Sequence, residues 1–351
     1  MTVGVSRESA LMDWLATVEP VLQRETLTLI AGDASPRRYY RISLDTPSGA
    51  QQKTLIAVDS PPSEKNPEFL AVQALLSQGG VRVPQVLATD LERGFLLLED
   101  LGNDLLLPAL SDYSAGAWYA KAFSALDRMA GISCESAEIP RYDRQQLMNE
   151  LNLFRDWFVT KLLAIPWNDE SAAVFEALCN DLVRSALSQP SVLVHRDFHS
   201  RNLMCLPSGE LAVIDFQDAV IGPVTYDPVS LLKDCYIAWP RRRQLAWLQS
   251  HQQTLEENHR VPPHDFAQWI VWFDLMGLQR HIKVLGIFAR LYLRDGKAAY
   301  LNDLPLVMAY VRSVLSLYST QQPNVSAFSQ WFEELLPTIE GQSWYREVIL
   351  P

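Results

Sequence analysis

Nowhere in these 351 residues is there an apolar run long enough to cross a bilayer, and none of the four cysteines forms a C-x-x-C pair or sits at metal-ligand spacing from a histidine. The first absence argues against a helical membrane anchor. The second leaves Cys134, Cys179, Cys205 and Cys235 as reduced, mostly buried thiols. Positive charge is also scarce: 30 Lys and Arg stand against 41 Asp and Glu, a formal net charge of −11. A nucleic-acid-binding surface needs a basic footprint, so that partner is not expected, and any phosphate group must be handled by metal. Residues 1–24 carry Arg7, Glu8, Asp13 and Glu19 within their apolar pattern, which breaks the continuous apolar core of a secretory signal. There is no internal repeat or low-complexity tract. The expectation is a cytoplasmic chain, large enough for two lobes, with no membrane partner and no obligate protein partner.

What is present is concentrated in one stretch, Val194-His195-Arg196-Asp197-Phe198-His199-Ser200-Arg201-Asn202, followed after the turn Leu206 to Glu210 by Val213-Ile214-Asp215-Phe216-Gln217-Asp218. Phosphoryl transfer asks a protein for positioning and for neutralisation of phosphate oxygens, largely through Mg²⁺. Magnesium takes oxygen ligands and keeps several waters, so one carboxylate and one carboxamide suffice beside the phosphates of ATP. Asp215 and Asn202 fit that metal role. A further carboxylate must accept the proton of the attacking hydroxyl, and the H-R-D-x-x-x-x-N spacing assigns this to Asp197. His195 is expected to orient the loop. His199 is a candidate for touching substrate, with a structural role as the plainer reading.

Organisation along the chain agrees. Leu27 to Ile30, Tyr39 to Leu44, Lys53 to Val58 and Gly94 to Leu98 are β-prone runs that suggest a small antiparallel sheet. Asn66-Pro67-Glu68 opens a helix that Gly79-Gly80 closes. From Asp112 onward helical periodicity dominates, roughly Tyr113 to Gly131, Asp143 to Leu163, Glu170 to Ser188, Arg242 to His259, His264 to Asp295 and Tyr300 to Tyr318. The expected class is α+β: a sheet-rich N-lobe over residues 1–100, a hinge near Glu99 to Asn103, and a helical C-lobe over residues 101–351 carrying the catalytic loop.

On the loop, the metal pair and this layout, the chain resembles the kinase-like phosphotransferase family that includes aminoglycoside and choline kinases, over nearly its whole length. The resemblance implies a bilobal, protein-kinase-like fold and ATP as phosphate donor. The family signature usually opens His-Gly-Asp, whereas this chain has His195-Arg196-Asp197. More narrowly, Gly32 to Arg41, Leu98-Glu99-Asp100-Leu101-Gly102 and Gln279 to Leu291 resemble the branch that phosphorylates the anomeric hydroxyl of cell-wall amino sugars. That implies N-acetylmuramate and N-acetylglucosamine as small-molecule acceptors in peptidoglycan recycling. By the same resemblance Asp227, in Tyr226-Asp227-Pro228-Val229, supports the backbone of the catalytic loop.

The small residues Gly32, Ala34 and Ser35 would let backbone N–H groups approach phosphate, with Arg37 or Arg38 beside them. Glu99 and Leu101 are expected to meet the adenine edge through their backbones. A second departure concerns the third strand, where kinases supply a phosphate lysine: Lys53 stands at its beginning and Val58 where the basic residue belongs, so Arg37, Arg38 or Lys65 would have to compensate. Arg280, Lys283, Arg290 and Arg294 recur at helical separations, which suggests a basic, solvated face with Trp272, Met276 and Phe288 inward. Of these, Arg280, His281 or Lys283 is the candidate to approach the lactyl carboxylate of N-acetylmuramate. The alternatives are a kinase of another small hydroxylated substrate, such as an aminoglycoside, choline or homoserine, and a nucleotide-binding pseudokinase, suggested by the missing lysine.

Overall fold

Alternation of buried and half-exposed side chains builds the first sheet. In β2 (Arg38–Ser43), Tyr40 and Ile42 are buried between more accessible neighbours, whereas β5 (Phe95–Glu99) is buried over four successive residues because it lies inside the sheet. With β1 (Thr28–Ala31), β3 (Thr54–Asp59) and β4 (Val86–Asp90) these strands form one antiparallel sheet in the order β1-β2-β3-β5-β4. The small antiparallel sheet expected from the sequence is present, with β4 as an added strand. Helix α1 (Arg7–Val18), capped by Ser6, sets Leu11, Trp14 and Leu15 against Tyr40, Ile42, Ala57, Phe95 and Leu97. Helix α2 (Asn66–Gln78) follows the expected bounds, and a single turn α3 (Leu106–Ala109) comes after the sheet.

This computed structural model describes residues 6–19, 27–31, 36–44, 53–134 and 139–351. They divide into two units, Met1–Ala109 with Asn202–Asp218, and Leu110–Arg201 with Ala219–Pro351. The hairpin Leu203–Cys205/Leu211–Val213 thus groups with the sheet, although its sequence position assigns it to the helical region. The reason is local bonding: Cys205 N–H donates to Asp104 O at 2.7 Å and Val213 N–H to Arg82 O at 2.8 Å.

The second unit comprises α4 (Ala115–Ala130), α5 (Arg144–Leu153), α6 (Asp169–Leu187), α7 (Tyr226–Leu232), α8 (Arg241–Glu257), α9 (Phe266–Asp295), α10 (Leu304–Tyr318) and α11 (Pro323–Glu340) together with a two-stranded pair, Ser191–Val194 with Val220–Pro223. The axis of this unit is the 30-residue α9, whose residues from Trp272 to Gly286 are buried without interruption. The solvated basic face expected on α9 is therefore not there. Helices pack on all its sides, and its ionic residues are buried: Asp274 is held by Lys233 at 2.8 Å and Arg241 at 2.6 Å, and Lys283 by Glu150 at 3.1 Å. Of the four basic residues expected on that face, Arg280 and Lys283 are buried, and Arg290 and Arg294, nearer the helix end, are half-exposed and exposed. Trp272, Met276 and Phe288 do face inward.

The expected helix Asp143 to Leu163 changes register, becoming π-helical over Phe154–Leu162 at the point where α9 passes closest. Gly286 makes that approach possible: a Cβ there would lie 2.2 Å from the Leu153 carbonyl carbon and 2.4 Å from the Phe154 nitrogen. Because both obstacles are backbone, Gly286→Ala is expected to destabilise the second unit by about 1–3 kcal/mol or more, the range for overpacking a filled core. A lowered unfolding midpoint in urea at unchanged slope is the readout.

All four cysteines are free thiols. Among the described residues no helix is long and apolar enough to cross a membrane.

Candidate active site

In the first unit the hairpin brings two oxygen-bearing side chains together. Leu203 pairs with Val213 and Met204 with Ala212, and Ile214 N–H donates to Asn202 O at 3.0 Å, so Asn202 and Asp215 flank the same end of the ladder. Asn202 Nδ2 stands 3.3 Å from Asp215 Oδ2. Asp215 has φ of 65°, a left-handed conformation that Asp tolerates better than most residues, and Phe216 beyond it stacks on Phe69 of α2 with centroids 4.9 Å apart. Gln217 Nε2 donates to Asp215 Oδ1 at 2.9 Å. Among the described residues no three His, Cys, Asp or Glu side chains form a closed metal cage. One carboxylate beside one carboxamide is the donor set for a hard cation that takes its other ligands from water and phosphate. The residues present fit Mg²⁺.

The same unit encloses a cleft of about 370 Å³, walled by Ile56, Leu98, Met204 and Ile214 and lined as well by Asn202 and Asp215. Its volume and its apolar walls with a few polar groups suit a flat aromatic base. Glu99 and Leu101 line it, as expected from the sequence. The Glu99 N–H, however, is taken by Gln85 O at 2.9 Å, and its carboxylate is paired with Arg82, whose Nη1 lies 2.8 Å from Oε2. That N–H is committed to Gln85. The crossover after the strand is held by residues of the two quoted motifs to which the sequence reading gave no such role. Arg41 grips Asp100 through Nε at 2.5 Å and Nη2 at 2.9 Å, and Asp100 also accepts the Gly102 N–H at 2.9 Å.

Gly32 and Ser35 lie outside the described residues. Arg37, the third phosphate candidate, is only 4 % exposed: its Nε donates to Ser60 Oγ at 2.9 Å and its Nη2 to Lys65 O at 3.0 Å, with the guanidinium over the Phe69 ring. It is a buried strut joining β3 to the start of α2, because burial without such partners would leave its donors unsatisfied. Lys65 itself reaches Asp218, three residues past Asp215, at 2.5 Å.

In the second unit the catalytic loop is suspended from two buried acids. Asp227, at the start of α7, accepts the His195 N–H at 2.7 Å and the Arg196 N–H at 3.0 Å, as the resemblance implied. Asp234 accepts the Ser200 N–H at 2.9 Å and its hydroxyl at 2.5 Å. No feature of the sequence around Asp234 signals that role. Between these anchors His195 is buried, its Nδ1 accepting the Asp197 N–H at 3.2 Å, which is the orienting part expected of it. Arg196 takes φ of 77° where the family usually has glycine, and its Nη2 donates to the buried Glu150. Burial opposes ionisation of Asp197, but the positive charges around it, those of Lys283, Arg280 and Arg196, outweigh it and hold the carboxyl below the usual range. Asp197 is thus an ionised acceptor at neutral pH. Glu150, shared between Arg196, Lys283 and the Tyr142 hydroxyl, organises these cations. It is another residue that sequence reasoning missed, since α5 offers no pattern that distinguishes a buried glutamate from an exposed one.

The substrate candidates separate. His281 is fully buried, stacked on Tyr310 at 4.8 Å and donating to Lys233 O at 2.9 Å, so it belongs to the packing of α9. Lys283 is bound to Glu150 and to Tyr226 Oη at 2.9 Å. Arg280 and the half-buried His199, edge-on to Tyr236 at 5.5 Å, stay close to the loop.

Burial pushes the Asp227 carboxyl up to about 6, against the pull of His195 and of the two N–H donors. Below that pH it takes a proton and one donor loses its acceptor. Since the folded value is raised, proton uptake favours the folded state: this group's contribution to stability is present at low pH and is lost as pH rises through about 6. Activity below pH 6 should therefore fall without unfolding driven by Asp227. The expected kcat/KM profile has an acid limb near pH 6 that disappears, at a lower plateau, in Asp227→Asn; an identical limb in the variant would assign it to the nucleotide or another group.

One relative resembles this chain in sequence and two solved structures resemble it in fold. The protein named N-acetylmuramate/N-acetylglucosamine kinase from Pseudomonas putida is 40 % identical over 311 residues, 88 % of each chain. The fold matches Plasmodium vivax ethanolamine kinase with a TM-score of 0.64 at 11 % identity, over 87 % of each chain. It also matches an aminoglycoside phosphotransferase solved with ADP, with a TM-score of 0.58 at 13 % identity, over 86 % of this chain and 97 % of that one. The antiparallel sheet followed by a mostly helical remainder is accordingly the protein-kinase-like architecture of these enzymes. Residues 26–264, which span the sheet, the catalytic loop and the hairpin, match the profile of the phosphotransferase enzyme family, and this chain is a kinase belonging to that family.

Proposed function

We propose that this kinase transfers the γ-phosphoryl group of ATP to the anomeric C1 hydroxyl of N-acetylmuramate and N-acetylglucosamine, in the cytoplasm, as a step of peptidoglycan recycling. The acceptor class rests on the likeness to a relative of that name along 88 % of the chain. The observation that carries the chemistry is an aspartate kept ionised by surrounding cations, five residues ahead of a carboxamide that contacts a second aspartate.

In this reading the first unit takes the nucleotide, and its apolar cleft receives the adenine. Asn202 and Asp215 would hold Mg²⁺, which would supply neutralisation of phosphate charge. The second unit takes the sugar. Asp197 accepts the proton of the C1 hydroxyl as its oxygen attacks the γ-phosphorus, and the bond from that phosphorus to the bridging oxygen of ADP breaks. An anomeric hydroxyl is somewhat more acidic than an ordinary alcohol, so a carboxylate is an adequate acceptor. His195, Asp227 and Asp234 keep the loop in register through the step. The lysine absent from β3 leaves phosphate contact to the metal and to backbone N–H groups.

The test is ATP consumption against a panel of acceptors that includes both amino sugars, an aminoglycoside, choline and homoserine, with ³¹P NMR of the product. Phosphate at C1 of either amino sugar is the expected result. Turnover with choline or an aminoglycoside alone would assign the chain to another acceptor, and nucleotide binding with no acceptor turned over would make it a regulatory pseudokinase.

A further inference from the structure

A guanidinium carries five N–H donors and a fixed charge, so a buried arginine nearly always faces a carboxylate. Three neighbouring cations in and beside the buried part of α9 obey this: Lys233 and Arg241 meet Asp274, and Lys283 meets Glu150. Arg280 does not. It is 3 % exposed, and its one hydrogen-bond partner among the described residues is the Cys235 thiol at 3.5 Å, a weak acceptor. Burial pushes that thiol up to about 11, so it stays protonated and supplies no counter-charge.

The position of Arg280 ties it to the catalytic loop. Cys235 follows Asp234, whose carboxylate fixes the Ser200 N–H and hydroxyl, and Ser200 follows His199. Tyr236, on the other side of Cys235, meets the His199 ring edge-on. His199 Nδ1 is buried with no partner among the described residues, and burial keeps the imidazole neutral at pH 7. One corner of the second unit therefore holds a cation with no carboxylate in hydrogen-bond contact and a ring nitrogen without a partner among the described residues, both next to the loop that carries Asp197. Buried donors of this kind are the groups that an oxygen-rich ligand satisfies.

We infer that Arg280 reads an anionic group on the acceptor sugar and so sets the preference for N-acetylmuramate over N-acetylglucosamine, an inference that rests on the acceptor class proposed above. The two sugars differ at C3, where the first bears a lactyl ether ending in a carboxylate and the second a hydroxyl. A carboxylate would complete the bidentate pairing that Arg280 lacks. A second role is open to the same charge, because Arg280 also helps keep Asp197 ionised. That role would serve both sugars equally.

The experiment is kcat/KM for each sugar with the wild-type chain, Arg280→Gln and Arg280→Lys, with a thermal melt of each protein. The Gln variant should lose preference for N-acetylmuramate by about 10–100-fold, chiefly through KM, the range for a hydrogen-bonded charge. The Lys variant keeps the charge without the planar fork, and its preference should fall several-fold. An equal loss in kcat for both sugars at constant preference would overturn the inference and leave the acceptor class intact. A wild-type chain that turns over neither sugar would remove both. Should the Gln variant fail to fold, the Lys variant decides: constant preference there overturns the assignment.

Discussion

Asp197→Asn should lower kcat by about 10²–10⁴-fold, the contribution of a positioned general base, while ATP affinity changes by no more than about threefold. The amide occupies the same space and cannot take the proton, so the loss should fall on the chemical step. Nucleotide binding should survive because the cleft and the Asn202–Asp215 pair belong to the first unit, whereas Asp197 belongs to the second. Single-turnover rates with saturating sugar, set beside equilibrium binding of a non-hydrolysable ATP analogue, separate the two quantities. Retention of full turnover would remove Asp197 from the mechanism, and an equal loss in nucleotide binding would recast it as a folding residue. The activity lost in this variant should not return at high pH, because the wild-type carboxyl is already ionised well below neutrality.

Asp215→Asn should produce a loss of similar size or larger, about 10³-fold or more, with a different signature. Asparagine accepts the left-handed φ of 65° at this position, so the backbone need not move and the change is confined to one charge. Several kcal/mol of transition-state stabilisation from a bound divalent ion depend on that charge. In the wild type, raising Mg²⁺ should strengthen ATP binding and turnover together. In the variant the Mg²⁺ response should shift to much higher concentration, and chelation, which should silence the wild type, should change the residual rate little. An unaltered Mg²⁺ titration would mean that the ion is held elsewhere.

The contrast between Asp227 and Glu150 shows how far the amino-acid order can be read. Asp227 lies in Tyr226-Asp227-Pro228-Val229, the short motif whose resemblance to the family implied its role, and it bonds two backbone N–H groups of that loop. Glu150 contacts Arg196 across 46 residues of chain and reaches Lys283 on α9 as well, and nothing local distinguishes it from the exposed acids of other helices. Arg37 and Arg280 make the same point in opposite directions. Beside the small residues Gly32 to Ser35, Arg37 read as a phosphate ligand, yet the fold turns it inward to Ser60 and Lys65. On a helical wheel Arg280 read as one charge of a solvated face, yet it is buried with only a thiol against it. Helix α11 was passed over even though Val325, Phe328, Phe332, Leu336 and Ile339 recur at helical spacing; its Pro323 opens the helix instead of breaking it. β4, with no two adjacent residues buried, offers a weaker signal.

The sequence by itself determined the elements and the chemistry-bearing residues whose partners are near in the chain: the antiparallel strands, α2, the loop from His195 to Asn202, and the hairpin that presents Asp215. These depend on backbone propensity, period and spacing, all of which act over a few residues. Only the tertiary structure decided which charges are buried, which are satisfied and which remain available. A buried cation is stable or reactive according to the acids that distant helices bring to it, and in α9 those neighbours pair Lys283 while leaving Arg280 without a carboxylate.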